Sequence, residues 1–172
     1  MSVTIVKALD LRWGSNPGIF DHRLSEVLES WRGTPYSAVD SLKGVGINCV
    51  RFIGCVLDEM SGTPKMSQMP DLRGDLCLHE PGKTAQAVRT MLRLYEPWRP
   101  VDPFSEPILP MDIFIVGPEG GGDGHGMVAG VQPSTLWHAA PSGVTVTGVR
   151  TSRQSFLRVY RTLDRWRCHA AR

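Results

Sequence analysis

Cys49 follows Asn48 and precedes the apolar run Val50-Arg51-Phe52-Ile53. A thiol attacks a carbonyl as its thiolate, and two devices favour that form: a helix N-terminus and a neighbouring imidazole. Asn is a helix-capping residue type, so Cys49 is expected to open a helix whose free N–H groups and dipole favour an anion. Those same N–H groups suit the oxyanion formed on attack. Cys55, Cys77 and Cys168 have no such placement. Of the five histidines, His125 and His138 fall in short β-type runs. Gly124 and Gly126 flank His125 and leave room around its ring, and His138 sits in Leu136-Trp137-His138-Ala139. On neighbouring antiparallel strands two such side chains can share a face. One ring could then take the thiol proton while the other fixes its tautomer and orientation.

The elements that must position these groups follow from periodicity. Asp21 is expected to cap a helix from about His22 to Trp31, with Leu24, Val27, Leu28 and Trp31 as its apolar stripe. Val50 to Met60 predicts a buried helix stopped by Gly62 and Pro64, and Lys83 to Tyr95 predicts an amphipathic one with Ala85, Val88, Leu92 and Tyr95 facing in. Residues 1–20 read as an extended arm or edge strand, and the proline-rich residues 97–110 as an ordered loop or wrapping segment. After Pro110 the period shortens. Strands are expected at Ile113–Val116, His125–Val131, Leu136–Ala139, Val144–Val149 and Phe156–Arg161. Helices first and strands afterwards give an α+β domain, with N-terminal helices packed on an antiparallel sheet of about five strands. A single domain over 1–172 is expected, its core at about 21–161, with 1–20 and 162–172 as peripheral arms.

The runs Trp31-Arg-Gly-Thr-Pro-Tyr36, Gly46-Ile-Asn-Cys49-Val-Arg-Phe-Ile53, Pro110-Met-Asp-Ile-Phe-Ile115, Gly124-His-Gly-Met-Val128 and Trp137-His-Ala139 resemble the NlpC-type cysteine peptidases. These are papain-like cell-wall hydrolases, and the likeness spans about residues 21 to 160. It implies Cys49 as nucleophile, His125 as base, His138 as third polar residue and Tyr36 as a hydroxyl assisting near the oxyanion. It also implies a structural role for Asp112. The family form around the nucleophile is Asp-Cys-Ser or Asp-Cys-Gly, and here it is Asn48-Cys49-Val50. The likeness points to peptidoglycan stem peptides as substrate, at the bond between γ-D-glutamate and diaminopimelate. Its divergent features are similar to those of members carried by bacteriophage tails and gene transfer particles, which implies tail-tip proteins as partners.

Composition bounds the alternatives. The chain has 172 residues, 41% hydrophobic and 21% charged, which is globular in character. A net charge of +2 argues against a dedicated nucleic-acid binder. Seven arginines between 150 and 172 against Asp164 read either as a solvated face or as contacts to an anionic partner. No cofactor or metal is expected: Cys77-Leu-His79 and Cys168-His169 lack zinc-site spacing, and Gly120–Gly124 lacks the Lys-Ser/Thr of a phosphate loop. The N-terminal residues lack a signal-peptide apolar run, and no stretch has the length of a membrane span. The expectation is therefore a wall hydrolase made in the cytoplasm and delivered by a phage-like particle. Two rivals are a structural tail-tip subunit with the same fold and little activity, and an amidase or acyltransferase with a non-wall substrate.

Overall fold

The structure, a computed structural model, describes residues 17–69, 83–95, 98–101, 106–118, 124–148 and 160–168, the last for its backbone pairing alone. The expected apolar stripes form three α-helices among these residues. Helix α1 spans Pro17–Trp31 and buries Phe20, Leu24, Val27, Leu28 and Trp31. It starts a turn earlier than Asp21 suggested, so Asp21 lies inside the helix. Phe20 extends the stripe by four residues, and Pro17 has the fixed φ that suits a first helical position. Residues 17–20 are thus helix rather than arm, and residues 1–16 lie outside the described residues.

A two-residue antiparallel ribbon follows, β1 (Ser41–Leu42) with β2 (Gly46–Ile47). It leads directly into α2, Cys49–Ser61. Asn48 caps α2: its extended backbone (φ −99°, ψ 171°) lets the side-chain oxygen accept the Arg51 N–H at 2.9 Å. Gly62, left-handed at φ 65°, ends it. Phe52, Ile53, Val56, Leu57 and Met60 are buried, as the spacing requires. At about 1.5–3 kcal/mol for each large apolar side chain, this face is what keeps α2 on the sheet.

Helix α3 spans Lys83–Leu92 and tightens into a 3-10 turn at Arg93–Tyr95. Ala85, Val88, Leu92 and Tyr95 all face inward. The Tyr95 hydroxyl donates to the Asp58 carboxylate, which also accepts the Lys65 and Met66 N–H groups at 2.6 and 3.1 Å. Burial, then this hydrogen bond to Asp58, pushes the Tyr95 phenol well above its usual pKa.

The strands are β3 (Trp98–Pro100), β4 (Ile113–Pro118), β5 (His125–Ala129), β6 (Thr135–Ala140), β7 (Gly143–Gly148) and β8 (Tyr160–Cys168). They form one six-stranded sheet in the order β3-β8-β4-β5-β6-β7, with every neighbouring pair antiparallel. The architecture is α+β, as expected from helices first and strands afterwards. The helix-side face carries Ile113, Ile115, Val128, Trp137, Ala139 and Val144, in one core with α1, α2 and α3. Phe114, Val116, Met127, Ala129 and Leu136 pack together on the opposite face.

Three expectations need correction. The proline-rich 97–110 region contains a strand, β3, because Trp98–Pro100 finds a partner in 166–168. Its Pro100 is tolerated because β3 lies at the sheet edge. The last strand among the described residues is Tyr160–Cys168, of the expected 156–161 only 160–161 are described, and the C-terminal residues 162–168 are not a peripheral arm. They lie between β3 and β4, Ile113 opposite Trp166 and Ile115 opposite Asp164, with a bulge between Ile115 and Val116. The charged residues Arg161, Asp164, Arg165 and Arg167 hid this strand, since its arginines read as solvated when taken alone.

Residues 162–168 supply backbone partners on both sides, so deleting 162–172 should abolish the cooperative thermal transition, whereas deleting only 169–172 should preserve it. A melt of the longer deletion within a few degrees of the full chain would contradict this sheet order.

Candidate active site

Three sequence features bring Cys49 to the sheet. Asn48 sets the first turn of α2, the ribbon β1–β2 delivers the chain to it, and Gly126 lets α2 approach β5. A Cβ at Gly126 would lie 2.6 Å from Ile53 Cδ1 and 3.6 Å from the Cys49 carbonyl oxygen. The main chain of Cys49 therefore rests against the residue next to His125. Cys49 itself is 2% exposed. Val50 is buried in the core.

His125 and His138 come together as their strands predicted. The β5–β6 register pairs Val128 with Trp137 and Ala129 with Leu136. His138 is thereby placed diagonally from His125 on one face, within reach of a long side chain. His125 Nε2 lies 2.9 Å from His138 Nδ1, and the rings meet edge to face at 87°. Both are half-buried. Cross-strand pairing of His125 with Val116 puts this pair on the face opposite the one α2 covers. The thiol and the imidazole are the first residues of their helix and strand.

Burial, and then the neighbouring His138, push the His125 pKa down to about 4. Burial lowers His138 as well. The pair is thus neutral at pH 7. With the shared proton on His125 Nε2, that nitrogen donates to His138 Nδ1 and His125 Nδ1 keeps its lone pair. This is the tautomer a general base requires.

Tyr36 is strapped close to the start of α2 by backbone. It forms a parallel bridge to Ile47, two residues before Cys49. The Ile47 N–H donates to the Pro35 carbonyl at 2.9 Å, and the Ser37 N–H to the Ile47 carbonyl at 3.0 Å. The Tyr36 hydroxyl is buried. The turn before it is pinned to β7: the Gly33 N–H donates to the Val144 carbonyl and the Val144 N–H to the Thr34 carbonyl. Asp112 acts structurally. Buried at 1% exposure, it accepts the Leu109 N–H at 2.9 Å and holds the turn in which Met111 adopts φ 70°.

Asn48 does what an aspartate there could not. While its oxygen caps α2, its amide nitrogen donates to the Ala38 carbonyl at 3.4 Å. Sequence reasoning missed this second bond and missed Arg51, whose partners lie ten to twelve residues away. Neither Cys49 nor Cys55 is in a disulfide. Cys55 is inert by environment: burial, then Asp58 and Glu59, push its pKa up to about 12. Among the described residues no group of three His, Cys, Asp or Glu is placed to hold a metal ion, and no helix is long and apolar enough to cross a membrane. Cys77, His79, residues 119–123 and His169 lie outside the described residues, as does the side chain of Cys168. No family model and no curated protein matches the sequence.

Two outcomes follow. A histidine buried neutral favours unfolding as it protonates in the unfolded chain, so stability is full above about pH 6.5 and falls as pH drops through about 4. The loss attributable to His125 is on the order of 3 kcal/mol. Urea denaturation at pH 7.5 and 4.5 should show the drop, and His125→Gln should remove most of it; an equal drop in that variant would assign it elsewhere. Asn48→Asp should lower stability at pH 7 by about 1–3 kcal/mol, because it turns a carboxylate oxygen toward the Ala38 carbonyl in a site 2% exposed. Unchanged urea midpoints would show that the amide donor contributes nothing.

Proposed function

We propose that the chain is a papain-like cysteine peptidase or amidase of the NlpC type, acting on an amide bond in the stem peptide of peptidoglycan. The observation that carries the proposal is the 2.9 Å contact between His125 Nε2 and His138 Nδ1, on a strand whose next residue lies against the main chain of Cys49. A bare core cysteine or a lone structural histidine needs no such arrangement. A nucleophile opening a helix, a base, and a group that orients the base do.

In this mechanism His125 Nδ1 takes the Cys49 proton as the sulfur attacks the amide carbonyl. The N–H groups at the start of α2, with Tyr36, stabilise the oxyanion. Collapse breaks the C–N bond, and the His125 imidazolium gives its proton to the leaving amine. A thioester remains. Water attacks it with His125 again as base, releasing the carboxylate and restoring the thiol. Throughout, His138 Nδ1 accepts from His125 Nε2 and so stabilises the imidazolium without taking its proton. The wall substrate, the γ-D-glutamyl–diaminopimelate bond and delivery within a phage-like tail rest on the motif resemblance.

The 2% exposure of Cys49 favours a second reading, a tail-tip subunit that keeps the fold with little turnover. Digestion of purified peptidoglycan, with mass spectrometry of the fragments, separates the two. Under the hydrolase reading, Cys49→Ala abolishes cleavage and His125→Ala lowers it by about a thousandfold. His138→Ala leaves partial activity, because binding and the oxyanion site survive. Cleavage that persists in Cys49→Ala would overturn the nucleophile. A wild-type protein that releases no fragments, yet co-purifies with particles, would favour the subunit.

A further inference from the structure

Arg51 is the third residue of α2, where a cation opposes the helix dipole by about 0.3–1 kcal/mol, and the first turn holds no acidic residue to offset it. Its side chain instead ties α2 to the loop that follows Tyr36. The guanidinium Nη1 donates to the Val39 carbonyl at 2.7 Å and to Ser41 Oγ at 2.6 Å. The Asn48 amide adds a tie to the Ala38 carbonyl. Within the loop, the Ser37 hydroxyl donates to the Asp40 carboxylate at 2.7 Å, and the Asp40 N–H donates to Ser37 Oγ at 3.1 Å. Gly46 lets the loop lie close: a Cβ there would come within 2.5 Å of Ser37 Cβ. Val39 and Leu42 point their apolar side chains outward and bury little, so these bonds and the β1–β2 pairing, rather than burial, hold the outer part of the loop.

We infer that Arg51 is a positioning residue, which clamps the Tyr36–Ser41 loop onto the start of α2 and so keeps Tyr36 beside Cys49. The inference rests on the hydrolase reading, where the place of Tyr36 matters to the reaction. The clamp acts on an interaction made as the oxyanion forms, so its loss lowers kcat and leaves substrate binding intact. Arginine is suited to it because one planar group reaches two acceptors in a fixed geometry.

The test is steady-state cleavage of a soluble stem peptide by the full chain. Arg51→Met should lower kcat about tenfold with KM within about twofold, and Arg51→Lys should recover much of the loss. Ser41→Ala keeps the charge and removes one tie, and should lower kcat by a smaller factor. A raised KM with unchanged kcat would make Arg51 a substrate contact and overturn the proposal, as would wild-type kcat in all three folded variants. If the wild type cleaves nothing, the hydrolase reading fails separately and amide hydrogen exchange decides the clamp. Arg51→Met should then speed exchange at Ser37 and Asp40 about tenfold while α2 amides hold, and unchanged exchange at those two amides would overturn it.

Discussion

The close approach of α2 to β5 at Gly126 is the constraint on which the rest of the structure depends. With no side chain at this position, Ile53 fills the space and the first turn of α2 lies against the strand. Protein interiors are packed at crystal-like density, so this spacing cannot slacken without leaving a void. It places the Cys49 main chain against Gly126, the residue after His125, at the end of α2 where Asn48 and Arg51 reach the preceding loop. Phe52, Ile53, Val56 and Leu57 hold the helix in that position, and Asn48 and Gly62 define its ends.

Around this contact the polar groups divide into two kinds. Asn48, Asp58 and Asp112 accept backbone N–H groups and fix the chain path. Leaving such a buried group unsatisfied costs more than the bond contributes, so these residues act chiefly by excluding other arrangements. The His125–His138 pair is different. Two rings that could carry charge are held close in partial burial, and each is kept neutral by it. This costs stability in acid and leaves one lone pair oriented by the partner ring. Cys55, one and a half turns along the same helix, shows the contrast: it sits near Asp58 and Glu59, and its thiol is held protonated.

The position of β8 changes how the C-terminal arginines are understood. As part of a strand between β3 and β4, residues 160–168 complete the sheet that carries His125 and His138. The sheet therefore closes only when the end of the chain has paired with segments some forty to seventy residues earlier, a long-range pairing of the kind that slows folding.

Local sequence determined much of this molecule. The apolar stripes of α1, α2 and α3, the capping of α2 by Asn48 and Gly62, and the strands containing His125 and His138 were legible because each depends on periodicity or on interactions within a few residues. So was the joining of the two histidines on one face, which follows from strand alternation. Tertiary structure decided what depends on distant partners. Trp98–Pro100 is a strand because 166–168 lies beside it, and 162–168 is a strand because β4 offers its free edge. Arg51 finds Val39 and Ser41, and Asn48 finds Ala38, only after the ribbon has folded back on α2. Gly126 reads as space around an imidazole, but Ile53 of a helix more than seventy residues earlier occupies that space. Periodicity reports which side of an element is buried; only the assembled chain determines what it is buried against.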